Sequence, residues 1–276
     1  MKKSLKKHLP APVSNVLQKV YNFVGDNYEL ISGQRDALTP PRRLIFVGPG
    51  DFKRIGQGFL QHFITIGNLR PDEHVLDVGC GIGRMALPLT TYLSKNGRYE
   101  GFDIVPKGID WCRKKITPRY NNFHFQVADI KNARYNPGGK FDGSSYRFPY
   151  EDNSFDFVFL TSVFTHLPPP DVENYLAEIA RVMRSGARCL ITFFLLNTEA
   201  DQLIDAGKGD FTFMHRYENH AINSTKSPAN AVAYKEQYIR DLFEQHKLVI
   251  QEPIHYGCWS GRDEFLDYQD IIVAKK

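Results

Sequence analysis

From His74 onward, short apolar runs alternate with helical stretches, and this alternation limits the possible folds more than any other feature of the chain. The helical period is clearest over 171–183, where apolar residues recur at spacings of three and four. Strands separated by helices predict an α/β fold with a parallel sheet covered on both faces. The apolar runs lie at Val75–Val78, Tyr99–Phe102, Phe123–Val127, Phe155–Leu160 and Cys189–Leu195.

Two more strands are predicted near the C-terminus, at Leu248–Gln251 and Gln269–Ala274. They are expected to pair antiparallel, because no helical pattern joins them and a parallel return would need a crossover. A further helix is predicted over Tyr234–Phe243. Before it lies a polar, irregular stretch, Asn197–Ala231. An insertion of that length in a compact domain is typical of a lid or a binding loop.

The first 65 residues follow a different pattern and are predicted to form a helical extension that folds over the site as a lid. One helix is expected over Ser14–Ile31 with Ser14 as its N-cap, and a second over Phe52–Ile66 with Asp51 as its N-cap. The loop between them is rich in proline and glycine. Residues 66–276 are predicted to be the main domain, with the insertion at about 197–231.

Composition is that of one large domain: 276 residues, 42% of them hydrophobic, with a net charge of +4. Four lysines near the N-terminus account for that charge, and the rest of the chain is close to neutral. A neutral body argues against a nucleic-acid partner. The basic start is either a solvated tail or a contact with an acidic surface. The lysines are Lys2, Lys3, Lys6 and Lys7.

Neither a metal site nor a membrane span is expected. The four cysteines lack CxxC spacing, and His215 and His220 are five residues apart, which does not place both on one helical face. There is no apolar region of a signal peptide and no run of eighteen apolar residues. These features predict a cytoplasmic protein without a transmembrane segment, as a monomer or simple dimer.

The segment "VLDVGCGIGR", Val75 to Arg84, runs from a strand into a turn with glycines at alternate positions. A strand that enters a glycine turn and then a helix is the usual cradle for a nucleotide-like ligand. The pattern is GxGxG, and Arg84 stands where the dinucleotide pattern GxGxxG would have its last glycine. This spacing argues against a nicotinamide cofactor.

With Asp77 two residues before the first glycine, the segment resembles motif I of the class I methyltransferases that use S-adenosylmethionine (SAM). The resemblance continues in order over about residues 65–275, through "YEGFDI", "FQVADI", "FPYEDNSFDFVFLTSVFTHL" and "YLAEIARVMRSGARCLITFF". It is closest to the small-molecule branch that includes the ubiquinone and menaquinone C-methyltransferases. One departure is "RSGAR" in place of the family's PGG turn. The family's Rossmann-like fold implies the strand order 3-2-1-4-5-7-6, with an antiparallel last strand.

The resemblance implies SAM as the cofactor and gives several residues a role. Asp103 corresponds to an acid on the ribose hydroxyls, and Asp129 to an acid at the adenine amino group. Ile104 would cover one adenine face, and Asp77 would accept from the ligand's ammonium group. Backbone N–H groups after Gly79 and Gly81 would approach the methionyl end. The expected cofactor-binding residues are Asp77, Gly79, Cys80, Gly81, Gly83, Asp103, Ile104, Asp129, Ile130 and Thr161.

Structural roles remain open for three of these acids. Asp77 could tie down the glycine turn, Asp129 could cap the next helix, and Asp103 could be structural. Asp156, which precedes a buried strand, is predicted to be structural. Phe102 points opposite to Asp103 by strand alternation and is predicted to lie in the core.

The acceptor site is expected at the carboxyl edge of the sheet, where open α/β sheets bind ligands. His166 follows the fourth strand and is the predicted catalytic base; orientation of the substrate or turn, and plain packing, are the alternatives. Ser162 shares that edge. Trp259 and Arg262 would bind an aromatic or acidic acceptor, or stack on each other. A pocket wall, or a small core of the lid, is expected from Phe211, Phe213, Met214, His215 and Tyr217.

These patterns predict methyl transfer from SAM to a small-molecule acceptor. Two alternatives stay open: a methyltransferase with a protein or RNA acceptor, and a SAM-binding protein that does not catalyse. A nicotinamide enzyme is the weakest alternative because of the glycine spacing.

Overall fold

The computed structural model describes Val20 and residues 23–29, 31–33, 35–48, 50–133 and 135–276. Its strands are β1 (His74–Val78), β2 (Arg98–Asp103), β3 (Phe123–Val127), β4 (Phe155–Leu160), β5 (Met183–Phe193), β6 (Leu195–Leu196), β7 (His215–Arg216), β8 (His220–Ile222), β9 (Val232–Lys235), β10 (Val249–Ile250) and β11 (Asp270–Lys275). Its helices after residue 50 are α1 (Phe52–Thr65), α2 (Ala86–Tyr92), α3 (Pro106–Lys115), α4 (Pro169–Val182), α5 (Thr198–Asp205) and α6 (Glu236–Gln245).

The main sheet has seven strands in the order β3-β2-β1-β4-β5-β11-β10. β11 runs antiparallel to both β5 and β10, and the other neighbouring pairs are parallel. This confirms the predicted α/β fold, including the strand order and the antiparallel last strand. The order reverses between β1 and β4, and this switch point is where such sheets form a ligand crevice.

Helices cover both faces of this sheet, because successive residues of each strand point to opposite faces. Leu76 contributes to the core under α4 and α6, whereas Val75 contributes to the core under α1, α2 and α3. Phe102 is 2% exposed, as predicted for a core residue. The aromatic rings of Phe63 in α1 and Phe159 in β4 lie 4.3 Å apart. Helix α1, although predicted as part of the N-terminal extension, is therefore packed into the core of the main domain.

The cap of α1 forms as predicted: the Asp51 side chain accepts a hydrogen bond from the Arg54 backbone N–H at 2.8 Å.

The boundary between α4 and β5 differs from the prediction. β5 begins at Met183, directly after the helix, instead of at Cys189. Gly186, with φ of 81°, lies inside this strand, near a register shift against β4. The residues read as a turn are therefore an irregular beginning of the strand.

The insertion predicted to be irregular is an ordered subdomain. After Phe194, β6 continues from β5 and pairs with β9, giving a second sheet in the order β6-β9-β8-β7. Tyr234 lies in β9, so the helix predicted to start there begins at Glu236 instead. This subdomain has a core of its own, which includes Phe194, Phe213 and Trp259.

The N-terminal helix is described only in part. Residues 23–29 are helical, as are Val20 and Ile31, in agreement with the second half of the predicted helix. Ser14, its predicted N-cap, lies outside the described residues. Within the described ranges, no helix is both long and apolar enough to cross a bilayer.

Candidate active site

The glycine turn between β1 and α2 lies at the switch point of the main sheet. Gly79, Gly81 and Gly83 have φ angles of 85°, 57° and 81°, a backbone region that strongly favours glycine. A Cβ atom on Gly79 would come within 2.4 Å of Val163, just after β4. A Cβ on Gly81 would come within 2.7 Å of Val47. The turn is therefore enclosed by the loop that follows β4 and by the segment that contains Val47.

The turn is fixed to the end of β2 by its backbone. The N–H groups of Gly79 and Cys80 both donate to the Phe102 carbonyl, at 2.9 and 3.0 Å, and Gly83 N–H donates to the Cys80 carbonyl. The Cys80 N–H, expected at the methionyl end of a ligand, is thus engaged within the chain. Its side chain is buried.

Asp103, at the end of β2, connects the glycine turn to α3. Its carboxylate accepts from the backbone N–H of Gly81 and of Val105, each at 2.8 Å. Burial raises the pKa of Asp103 to about 6, while the backbone donors act in the opposite direction. An ionised carboxylate has about four acceptor positions, so the two backbone bonds leave capacity for ligand hydroxyls. The structural role and the predicted ribose contact are compatible.

Asp77, in β1, is completely buried. One carboxylate oxygen accepts from the Tyr99 hydroxyl at 2.7 Å, and the other has no hydrogen-bond partner among the described residues. Burial raises the pKa of Asp77 to about 8, and the Tyr99 hydroxyl partly opposes this. Tyr99 was missed by sequence reasoning. A signal was available in Gly101, which lies opposite Asp77 and leaves space for the Tyr99 hydroxyl.

The remaining predicted cofactor residues are spread along the same edge. Ile104 is half-buried, Ile130 is buried in the main core, and Thr161 is half-buried after β4. The Asp129 carboxylate lies 3.3 Å from the Asn136 side-chain nitrogen. No helix follows Asp129 in residues 130–133 or 135–142, so the alternative that it caps a helix is wrong.

The segment over residues 45–48, which precedes α1, lies against the glycine turn. The Arg84 guanidinium donates to the carbonyls of Val47 and Gly48, at 3.2 and 2.6 Å. The Lys107 ammonium lies 5.0 Å from the centre of the Phe46 ring. A cavity of about 380 Å³ opens beside this segment, lined by Phe46, Val105, Pro106, Lys107 and Tyr135. In the sequence, Arg84 was notable only because it stands where the dinucleotide pattern has a glycine. In the structure, it holds the segment over residues 45–48 in place.

His166 ends a short 3-10 turn after β4 and contacts the insertion. Its Nδ1 lies 2.9 Å from the Ala229 carbonyl oxygen. Because a carbonyl only accepts, this contact puts a proton on Nδ1, and the neutral ring then has its lone pair on Nε2. Nearby, Ser162 has a φ of 58°, and its hydroxyl donates to the Gln269 side chain at 3.0 Å.

Trp259 and Arg262 neither stack on each other nor face an open acceptor pocket. Trp259 is fully buried, and its indole N–H donates to Asp270 at 2.8 Å. Arg262 lies over the Tyr256 ring and donates to Glu199 at 3.0 Å. Both residues therefore hold the insertion on the main domain.

Two residues of "FTFMHRY" take the predicted core role. Phe211 and Phe213 pack in the insertion core, whereas Met214 and Tyr217 are exposed. Asp156 is structural as predicted: it accepts from the backbone N–H of His74 at 2.9 Å and pairs with an arginine of β5.

Comparisons with known proteins agree with this geometry. The family model described as a methyltransferase domain matches residues 76–191. Demethylmenaquinone methyltransferase from Lactiplantibacillus plantarum is 32% identical over 127 residues, 45% of this chain and 47% of that protein. 27-O-demethylrifamycin SV methyltransferase from Amycolatopsis mediterranei is 27% identical, over 59% of this chain and 57% of that protein. The chain thus spans about half the length of the curated relatives it matches.

Among solved structures, the PH0226 protein from Pyrococcus horikoshii has the same fold. Its TM-score is 0.56 at 15% identity, and the match covers 84% of this chain and 94% of that one. Residues 76–191, which the family model matches, contain the glycine turn, Asp77, Asp103 and His166. Residues 76–191 thus match a methyltransferase domain, and the chain resembles the class I SAM-dependent methyltransferases in sequence and in fold.

Proposed function

We propose that this protein transfers a methyl group from SAM to a small-molecule acceptor. The observation that carries the proposal is the glycine turn at the switch point of the sheet, flanked by the buried carboxyl groups of Asp77 and Asp103. Two relatives are named as methyltransferases of demethylmenaquinone and of 27-O-demethylrifamycin SV, and these names support a small-molecule acceptor. Absence of a nucleic-acid partner, a monomeric or dimeric state and a cytoplasmic location remain predictions from the sequence.

The residues of the site fit the chemical groups of SAM. One buried carboxylate oxygen of Asp77 has no donor in the part of the chain that the structure describes, and it suits an ammonium group, reached directly or through water. The unused acceptor positions of Asp103 suit the ribose hydroxyls. The assignments of Ile104, Asp129, Ile130 and Thr161 rest on their position along the same edge.

The segment over residues 45–48 is proposed to act as part of the lid. Arg84 holds its carbonyls against the glycine turn, and Phe46 lines the cavity beside β2. Covering the turn in this way would exclude water from the site, which strengthens the electrostatic contacts inside it.

When bound, SAM supplies an electrophilic methyl group on a cationic sulfur. The protein's part in such a reaction is mainly alignment and exclusion of water. If the acceptor is a hydroxyl or an acidic carbon, its proton must also be removed. Nε2 of His166 is the proposed acceptor of that proton, with Nδ1 held by the Ala229 carbonyl. The insertion would thereby fix the orientation of the base.

Titration calorimetry with SAM and with NAD, followed by incubation with labelled SAM and a fractionated cell extract, tests the proposal. Binding of SAM alone and label in the small-molecule fraction are expected. Label in protein or RNA would contradict the acceptor class, and binding of NAD instead would contradict the cofactor. SAM binding without label in any fraction would favour a non-catalytic role.

Replacement of Asp103 tests the cofactor assignment. Asp103→Ala should weaken SAM binding by at least about tenfold, because hydrogen bonds to a charged group contribute roughly 1.5–3 kcal/mol each. Asp156→Ala is the matched control: this carboxylate also accepts from a backbone N–H, but at the start of β4, at the opposite edge of the sheet. Equal SAM affinity of the two variants would refute the ribose contact.

Replacement of His166 tests the base. His166→Gln should lower kcat by about 100-fold or more, in the range of general-base catalysis, and leave SAM affinity within about twofold. Its pH–rate profile should also lose the limb that belongs to the base. An unchanged kcat would return His166 to a packing role.

A further inference from the structure

The N-terminal helix is oriented in the opposite way to an ordinary helix of a soluble protein. Such a helix normally turns its apolar stripe toward the core. Here the apolar side chains of the described part are between 53% and 86% exposed. They are Val20, Phe23, Val24, Tyr28 and Ile31.

These side chains lie on one side of the helix. At the helical repeat of about 100° per residue, the five positions fall within an arc of roughly 140°. Gly25, Asp26 and Glu29 occupy the other side of the helix. The polar Asn27, whose side-chain nitrogen donates to the Phe23 carbonyl at 2.9 Å, lies within the same arc. The exposed surface is therefore one mainly apolar face that Asn27 interrupts.

Ion pairs hold the charged face of this helix against the protein. Asp26, which is 2% exposed, pairs with Arg43 at 3.1 Å and with Arg35 at 3.4 Å. Glu29 accepts from the Arg42 guanidinium at 2.9 Å. These bonds join the helix to the loop over residues 35–43, so the apolar face is fixed in its outward orientation.

The sequence before this face is strongly basic. Five lysines precede Asp26, the first acidic residue of the chain, and they are Lys2, Lys3, Lys6, Lys7 and Lys19. Asp26 and Glu29 are already neutralised by arginines. A partner for this region must offer negative charge beside an apolar environment. A second copy of the chain does not fit, because it would bring two basic stretches together.

We infer that the N-terminal helix docks the protein on an anionic lipid surface. The apolar face enters the boundary between headgroups and acyl chains, and the positive charge of the sequence before it is attracted to the anionic headgroups. Such a helix lies in the plane of the interface and does not span the membrane. The inference is independent of the methyltransferase activity.

Sedimentation of the protein with vesicles tests this inference. Mixed phosphatidylglycerol and phosphatidylcholine vesicles should carry the protein into the pellet at low salt, and the bound fraction should fall as salt is raised. Vesicles of phosphatidylcholine alone should bind at least about tenfold less, because the lysines then have no anionic partner.

Two exposed valines provide matched variants. Val24→Asp should lower binding to the mixed vesicles by at least about tenfold, because it puts a carboxylate on the docking face. Val249→Asp makes the same change on β10, where Val249 is 65% exposed, and should bind like the parent. Thermal unfolding of both variants should match the parent, since both sites are exposed.

The inference is overturned if the parent does not bind mixed vesicles, or if the two variants bind them equally. Sedimentation velocity adds one further outcome. If the parent forms a dimer that Val24→Asp dissociates, and neither protein binds vesicles, the face is an interface between copies of the chain.

Discussion

Two fully buried aspartates at the carboxyl edge of the main sheet differ in how many donors the chain provides for them. Asp270, at the start of β11, accepts from the backbone N–H groups of Leu195 and Gly257, at 2.6 and 2.7 Å. It also accepts from the Trp259 indole. Asp77, in β1, accepts one hydrogen bond and has one oxygen without a partner in the described structure.

The difference is also visible in their protonation. Burial raises the pKa of both carboxyl groups, to about 6 for Asp270 and to about 8 for Asp77. The donors around Asp270 stabilise its charged form and limit the rise. The fold thus completes the hydrogen bonding of the carboxylate that holds the insertion. Among the described residues, it leaves that of the carboxylate beside the glycine turn incomplete, which agrees with the proposed contact between Asp77 and a ligand ammonium.

The largest expected effect follows from removing the carboxylate whose donors are complete. Asp270→Ala leaves two backbone N–H groups and an indole N–H buried without an acceptor, at about 1–3 kcal/mol each. The free energy of unfolding should fall by at least about 3 kcal/mol. Urea denaturation measures it. A loss below about 1 kcal/mol would show that these donors find other partners. The contrast between Asp270 and Asp77 would then not matter for stability.

The next effect compares two glycines of similar backbone conformation. Gly79 and Gly186 have φ of 85° and 81°, so alanine at either position should cost about 1–2 kcal/mol. A Cβ on Gly186 meets nothing within 4 Å, whereas one on Gly79 overlaps Val163. Gly79→Ala should therefore destabilise the protein more than Gly186→Ala in urea denaturation, and only Gly79→Ala should weaken SAM binding.

Equal SAM affinity of the two glycine variants would contradict the placement of the cofactor at the turn. Equal loss of stability would mean that Val163 moves aside without cost.

The sequence predicted the main sheet well because each of its signals is local. Apolar runs, the glycine spacing and the cap at Asp51 are all read within a few residues. The strand order came from the resemblance to a family, since pairing partners such as β1 and β4 lie about 80 residues apart. For the site, the roles of Asp77 and Asp103 came from the same resemblance, and their contacts with a ligand stay predictions.

The insertion was mispredicted because its structure depends on contacts between distant residues. β7 and β8 have two and three residues, too short for a pattern. Trp259 and Arg262 looked like ligand contacts because an aromatic and a cation stood together in a loop. In the fold, Trp259 fills the insertion core and donates to Asp270. Nothing in the residues around Asp270 indicates that its partner Leu195 lies 75 positions earlier.

The smallest expected effect is a change in the pH dependence of stability. Asp77 has a pKa of about 8 in the fold and about 3.9 in an unfolded chain. Between these values the folded state binds a proton that the unfolded state lacks, so the free energy of unfolding falls as pH rises. The slope from this group is at most about 1.4 kcal/mol per pH unit. Asp77→Asn removes this contribution to the slope, because an amide does not titrate.

Urea denaturation from about pH 7 to about pH 8 isolates this effect, because the pKa values of Asp103 and Asp270, near 6, lie below the window. The parent should lose stability over this range more steeply than Asp77→Asn. Saturating SAM should flatten the slope of the parent, since an ammonium beside Asp77 favours the ionised carboxylate in the fold and lowers its pKa. Parallel curves for parent and variant without ligand would mean that Asp77 is ionised in the free protein. Asp77 and Asp270 would then differ in the number of hydrogen bonds they accept but not in their protonation.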